Sequence, residues 1–236
     1  MAELFAEVPA RALAVFAHPG DPEVSCGGSL ARWAAAGCEV LVVVAAAGDK
    51  GSKDPATDPA ELSERRAREV ESAAAALGLG GAERLGHPDG ELGAVGGLRE
   101  ELVGVVRRWR PEVVVCPDPT AVLFGDAYVN HADHRAVGWA TLDAVAPAAS
   151  SPLYFPARGP AHQVATMLLS GTLEPDVWVD VAGSVEAKTA AMLCHRSQLD
   201  ADADEWLDDF VRVRLEEEGR RAGVRFAEAF RRVRLG

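Results

Sequence analysis

The chain has 236 residues, 48% of them apolar and 25% charged, with a formal net charge of −12. That length and composition suit one large globular domain with a full core, and the acidity, with no basic patch, speaks against a nucleic-acid backbone as partner. No apolar run approaches the roughly 18 residues needed to cross a bilayer, and the start, MAELFAEVPARALAV, lacks a basic region followed by an apolar one, so neither a membrane partner nor a signal peptide is expected.

Residues 11–17 are a short apolar run and predict a buried strand. Residues 29–37, SLARWAAAG, are Ala-rich and stop at Gly, which predicts a helix. EVLVVVAA, residues 39–46, predicts a second buried strand, and GDKGSKDPATDP a loop. Residues 61–77 predict a long helix, AERLGHPDGEL a short strand and a turn, and residues 98–109 a helix that ends before Pro111. EVVVC, residues 112–116, predicts a third buried strand, followed by the polar loop PDPTAVLFGDAYVNHADH. A helix over 135–145, strands over 163–169 and 177–181, and a helix over 184–195 follow. In the tail, RRAGVRFAEAFRRVRLG, arginines fall at helical spacing between apolar residues, so 205–235 read as mostly helical with a solvated basic face. Strands alternating with helices predict a mainly parallel sheet covered on both faces, in one domain over residues 1–236. Ligands of such sheets sit outside the carboxyl ends of the strands, at a switch point.

Two stretches at predicted strand ends carry chemistry. AHPGDPE holds His18, Asp21 and Glu23; Pro19 and Gly20 disfavour a helix there, so these side chains are expected on a loop. NHADHRAVG holds His131, Asp133 and His134. Imidazoles and carboxylates are good zinc ligands, and three of them plus one open position make a catalytic centre. Each stretch alone has a structural explanation, since Asp133 could cap the helix that begins near His134. Two clusters at the same sheet edge weaken that explanation. The remaining histidines read as local: His87 as turn chemistry, His162 with no acidic neighbour, and His195 serving the carbonyl end of a helix. The five tryptophans read as core. Cys26, Cys38, Cys116 and Cys194 form no CxxC pair and read as small buried hydrophobes in a reducing cytoplasm. Neither G-x-G-x-x-G nor G-x-S-x-G occurs, which disfavours a dinucleotide site and a serine-hydrolase elbow.

AHPGDPEVSCGGSLARWAAAG resembles the opening motif of the PIG-L (LmbE-like) zinc-dependent N-deacetylase superfamily, which reads AHPDD, a Glu within two residues and a Gly-rich helix start. The resemblance continues through GDKGS, ERRAREVESAAAALGL, PDGEL, CPDP, NHADHRAVG and EAKTAAMLCHRSQ, over most of the chain and in order. It implies a Rossmann-like α/β domain that removes an acyl group from an amine, often on an amino sugar. The implied cofactor is zinc or another divalent metal, and the implied partner is a small acylated amine; the oligomeric state stays open, a homo-oligomer included. By the resemblance the metal ligands fall on His18, Asp21 and His134. His131 matches the residue that polarises the substrate carbonyl or helps the leaving amine, Asp133 its orienting carboxylate, and Arg66 a substrate-contacting arginine. The departure is Gly20, where the family keeps an aspartate as general base. A positioned base contributes about 10²–10⁴-fold, so its loss costs roughly 3–5 kcal/mol of barrier. Two readings therefore remain: a deacylase, slowed or rescued by Asp118 or Asp126, and a non-catalytic homologue that keeps the pocket.

Overall fold

The computed structural model of the chain describes residues 2–235. Its strands are β1 (Glu3–Leu4), β2 (Arg11–Phe16), β3 (Glu39–Ala46), β4 (Ala82–His87), β5 (Val113–Pro117), β6 (Leu123–Phe124), β7 (Tyr128–Val129), β8 (Thr166–Ser170), β9 (Val177–Asp180) and β10 (Ala227–Arg234). Its helices are α1 (Asp21–Ala35), α2 (Pro59–Ala76), α3 (Leu98–Trp109), α4 (Ala132–Asp143), α5 (Val185–Leu193) and α6 (Ala203–Ala222). One sheet runs in the order β1-β9-β10-β8-β5-β2-β3-β4, and β6 and β7 form a separate hairpin. Within the sheet β10 is antiparallel to both neighbours, and every other pairing is parallel. The expected α/β architecture is thus present.

The strands are apolar on both faces because helices cover both. Along β2 and just beyond it, Ala12, Ala14 and Phe16 point to one side and Leu13, Val15 and Ala17 to the other, all buried. The first side packs on Leu30 and Trp33 of α1, Val70 of α2, Met192 of α5 and Leu207 of α6. The second packs on Leu102 and Val106 of α3 and Val137 of α4. Each such fully buried Leu, Val or Phe contributes about 1.5–3 kcal/mol. From β2 the chain builds out to β3 and β4 on one side, then returns to place β5 and β8 on the other. The connections diverge at the carboxyl ends of β2 and β5, which opens a crevice there. No helix among the described residues is long and apolar enough to cross a membrane.

Three expectations need correction. First, α1 begins at Asp21, eight residues before the predicted start, so Asp21 and Glu23 ride on a helical turn and not on a loop. Pro19 and Gly20 precede the helix, and Pro22 sits in its first turn, where its missing N–H costs nothing. Second, the predicted C-terminal helix stops at Ala222, and residues 227–234 are β10. β10 pairs with β9 through Ala227–Phe230 and with β8 through Arg231–Arg234, filling the slot between two strands that do not otherwise meet. Long-range pairing overrode local spacing. Third, Trp139 and Trp206 are 51% and 39% exposed and are not core. The loop after β5 also contains the β6–β7 hairpin. His87 ends β4 with Nε2 2.8 Å from a Glu101 carboxylate oxygen, and His162 Nε2 donates to the Pro111 carbonyl at 2.8 Å.

Arg107 of α3 organises the segment after α4. It is 2% exposed, and its guanidinium donates to the carbonyls of Ala148, Ala149, Ser151, Tyr154, Phe155 and Gly159 at 2.7–3.2 Å. Without it, several of those carbonyls lose their donors. Arg107→Met is therefore expected to lower stability by about 3 kcal/mol or more, read as a lower denaturant midpoint with an unchanged m-value. A midpoint within error of wild type would refute this role.

Candidate active site

His18 follows β2, Asp21 opens α1, and His134 lies in the first turn of α4, which follows the β6–β7 hairpin. Their donor atoms converge. His18 Nδ1 is 3.3 Å from Asp21 Oδ2 and 3.3 Å from His134 Nε2, and His134 Nε2 is 3.2 Å from Asp21 Oδ2. Ligands about 2.0–2.1 Å from a tetrahedral ion stand about 3.3 Å apart. The triangle therefore has the edge length of one face of a zinc-sized tetrahedron, and these three residues could hold a metal ion.

The surrounding bonds decide where the ring hydrogens sit. His18 Nε2 faces two carboxylates, Asp89 at 3.1 Å and Asp133 at 3.2 Å. Both are acceptors, so Nε2 carries a hydrogen and Nδ1 turns to the triangle. His134 Nδ1 faces Asn130 Oδ1 at 3.1 Å. The Asn130 amide is oriented by its own Nδ2, which donates to the Ala121 carbonyl at 2.8 Å. His134 Nδ1 thus carries a hydrogen and Nε2 offers its lone pair. Burial pulls the His18 imidazole down, but bonds with Asp21 and Asp89 outweigh it and hold its pKa up at about 10. Burial raises the half-buried Asp21 carboxyl, but hydrogen bonds from the His134 and His18 rings, donated when those nitrogens are protonated, outweigh it and hold it below the usual carboxylate range. The cluster attracts a cation, whether a proton or a metal ion.

His131 caps α4: its Nδ1 accepts the Asp133 main-chain N–H at 3.2 Å. Its ring stands edge-on to His18 with centroids 4.8 Å apart. The Asp133 side chain, read as the orienting group of His131 or as a helix cap, does something else. It is fully buried, accepts from the amides of Gly90 at 2.7 Å and Leu92 at 3.0 Å, and reaches His18. Asp133 holds His131 through its main chain only.

A family model described as PIG-L, GlcNAc-PI de-N-acetylase, matches residues 13–145. The chain belongs to the PIG-L family. The diacetylchitobiose deacetylase of Thermococcus kodakarensis is 29% identical over 227 residues, covering 94% of this chain and 83% of that protein. The structure of N,N'-diacetylchitobiose deacetylase from Pyrococcus horikoshii matches with a TM-score of 0.85 at 28% identity, covering 96% of this chain and 84% of that one. A conserved protein of Thermus thermophilus matches with a TM-score of 0.76 at 30% identity, covering 93% and 92%.

The matched PIG-L segment contains every residue singled out above as a ligand, as catalytic or as substrate-binding, but not all of them meet. Arg66 is 4% exposed, and its guanidinium donates to the Gly48 carbonyl at 2.8 Å and the Gly51 carbonyl at 3.1 Å. It props the loop after β3 from beneath. Asp118 is buried and engaged by Thr120 and Thr172, and Asp126 is exposed in the turn of the β6–β7 hairpin. His195 does not serve helix carbonyls; its Nε2 packs 3.2 Å from Glu23 Oε2, both side chains buried. Asn130 and Asp89 escaped the sequence reading. Asn130 directly precedes the His131–His134 stretch, and Asp89 lies in PDGEL, so position was their only signal. Asn130→Ala is expected to weaken divalent-metal binding about 10–100-fold, and His134→Ala to remove it, as read by metal titration and elemental analysis. Equal affinity in all three proteins would exclude the triangle as the site.

Proposed function

We propose that the chain is a zinc-dependent N-deacetylase that removes an acetyl group from an N-acetylated amino sugar or a related acyl-amine. The observation that carries this reading is the triangle of His18, Asp21 and His134 at tetrahedral spacing, in a chain of this family. Two of those ligands, Asp21 and His134, line a cleft of about 660 Å³ walled by Phe124, Tyr128, Thr172 and Phe210. That volume lies in the range of small-ligand pockets. Two imidazoles and one carboxylate suit zinc. Bound there, such an ion polarises a carbonyl and activates water near neutral pH.

The chain's own residues do the rest. His131 accepts a hydrogen bond at Nδ1, so its proton sits on Nε2. That N–H donates to the amide oxygen as negative charge develops, and the same proton is available to the departing amine. Asp89 and Asp133 keep the His18 ring in register. Arg66 supports residues 48–51 through the Gly48 and Gly51 carbonyls, and its buried Nε leaves it no direct reach to a substrate. The free cysteines accord with a reducing cytoplasm. The test is acetate release from a panel of N-acetyl amino sugars, before chelation, after chelation and after adding zinc back. Metal-loaded protein that releases acetate from none of them would refute the reading.

Gly20 limits the rate. By the resemblance its position belongs to a general base, while Asp118 is already engaged by Thr120 and Thr172 and Asp126 lies exposed in the hairpin turn. Gly20 has φ +96°, a left-handed conformation, and a β-carbon there would lie 3.2 Å from Gln198 Nε2 and 3.7 Å from His195 Cγ. Aspartate tolerates that backbone better than most residues, and the nearest obstacle is the end of a flexible side chain. Gly20→Asp is therefore expected to raise turnover at least ~10²-fold, the low end of what a base supplies, at about 1 kcal/mol of stability. The comparison needs equal metal occupancy. A wild type already as fast as the variant would assign the base to another group.

A further inference from the structure

Helix α1 is broken. Cys26 has φ −147° and ψ 17°, outside the helical range, and helix breaks of this kind have identifiable causes, one being a side chain inserted into the hydrogen-bond ladder. In an unbroken helix the Gly28 N–H donates to the Val24 carbonyl. Here the Gly28 N–H donates to Glu228 Oε1 at 2.9 Å. The Val24 carbonyl accepts instead from Lys188 Nζ at 2.7 Å. Lys188 Nζ and Glu228 Oε1 are 2.7 Å apart. One ladder bond has become a relay of three, with a buried ion pair as its middle link. Lys188 also donates to the Glu23 carbonyl at 2.8 Å, and Glu228 Oε2 also accepts the Ser29 N–H at 2.8 Å and the Ser29 hydroxyl at 2.6 Å. Both charged side chains are 4% exposed.

The sequence around the break makes room for the wedge. A β-carbon on Gly28 would lie 3.1 Å from Glu228 Oε1 and 2.9 Å from Val181 Cβ. Glycine lets the carboxylate reach the main chain. The turn ahead of the break carries Asp21. The two carbonyls that Lys188 grips, of Glu23 and Val24, belong to that turn. Neither Lys188, from α5, nor Glu228, from β10, touches the metal triangle; they act through the main chain of residues 23–29.

We propose that Lys188 and Glu228 are positioning residues of the metal centre, an ion pair wedged into α1 that aims the turn bearing Asp21 at His18 and His134. The proposal rests on the metal reading above. The variant K188M/E228Q tests it. Glutamine keeps one of the two acceptor oxygens, enough for Ser29 or for Gly28 but not for both, and losing both charges together leaves no unpaired buried ion. The probe is Co²⁺, titrated into metal-free protein and followed by its visible bands, alongside thermal melting of the metal-free form. Expected are cooperative melting, an affinity at least ~10-fold weaker and altered bands, because the carboxylate ligand is no longer held. Cooperative melting with wild-type affinity and wild-type bands overturns the proposal, even if the melting point falls. Should the double variant not melt cooperatively, Glu228→Gln alone must weaken Co²⁺ binding, and wild-type affinity in it overturns the proposal equally. His134→Ala is the control for the site itself. If it binds Co²⁺ as wild type does, the metal reading fails and the positioning role falls with it; if it does not bind while K188M/E228Q binds normally, only the positioning role fails.

Discussion

Electron-rich atoms do not gather without a positive charge to hold them. Two imidazole nitrogens and a carboxylate oxygen, each 3.2–3.3 Å from the others, are the constraint on which the rest of the site depends. Around them the structure repeats one device, a hydrogen bond that fixes a ring by occupying its far nitrogen. Asn130 does this for His134, and Asp89 and Asp133 do it for His18. The sheet supplies the meeting place, because β2 and β5 are neighbours while their following segments diverge. The PIG-L fold thus brings residues more than a hundred positions apart to one point, His134 by way of the segment that holds the β6–β7 hairpin.

Asp133 shows how much can depend on one buried carboxylate. It ties the 90–92 segment, by two amides, to the ring of His18. A carboxylate with three donors is well satisfied in a dry place, whereas one left without them would be costly to bury. The same arrangement explains why the loop after β4 sits against the site, which brings Asp89 to His18. Arg66 does similar work for the loop after β3. Two sides of the site are therefore held by buried polar side chains rather than by apolar packing.

The sheet was legible because parallel strands buried on both faces read as continuous apolar runs, as in EVLVVVAA and EVVVC. Two clusters of imidazoles and carboxylates at strand ends were legible as such, and the resemblance to the PIG-L opening motif singled out His18, Asp21 and His134 among them. The start of α1 was not legible. Pro19 and Gly20 signal a break, and nothing local shows that a helix with its own internal kink begins at once. β10 was not legible either, since its arginines fit a helical face as well as a strand, and only the gap between β8 and β9 decides. Asn130 and Asp89 carry ordinary loop residue types; their importance lies in what they face. Lys188 and Glu228 are forty positions apart and meet only when the fold is complete.

Glu228 bonds to a main-chain amide two hundred positions earlier in the chain. A nascent chain that has just completed α6 already holds every residue of the triangle, yet not the strand that delivers Glu228. Contacts of such separation form late and slowly, because the intervening loop must close first. Until β10 threads between β8 and β9, Lys188 has no counter-charge and the broken helix has no wedge. A chain cut short before residue 227 carries His18, Asp21 and His134 but lacks the carboxylate wedged into α1, so on the positioning role proposed above a truncation at the far end of the sequence is felt near its beginning.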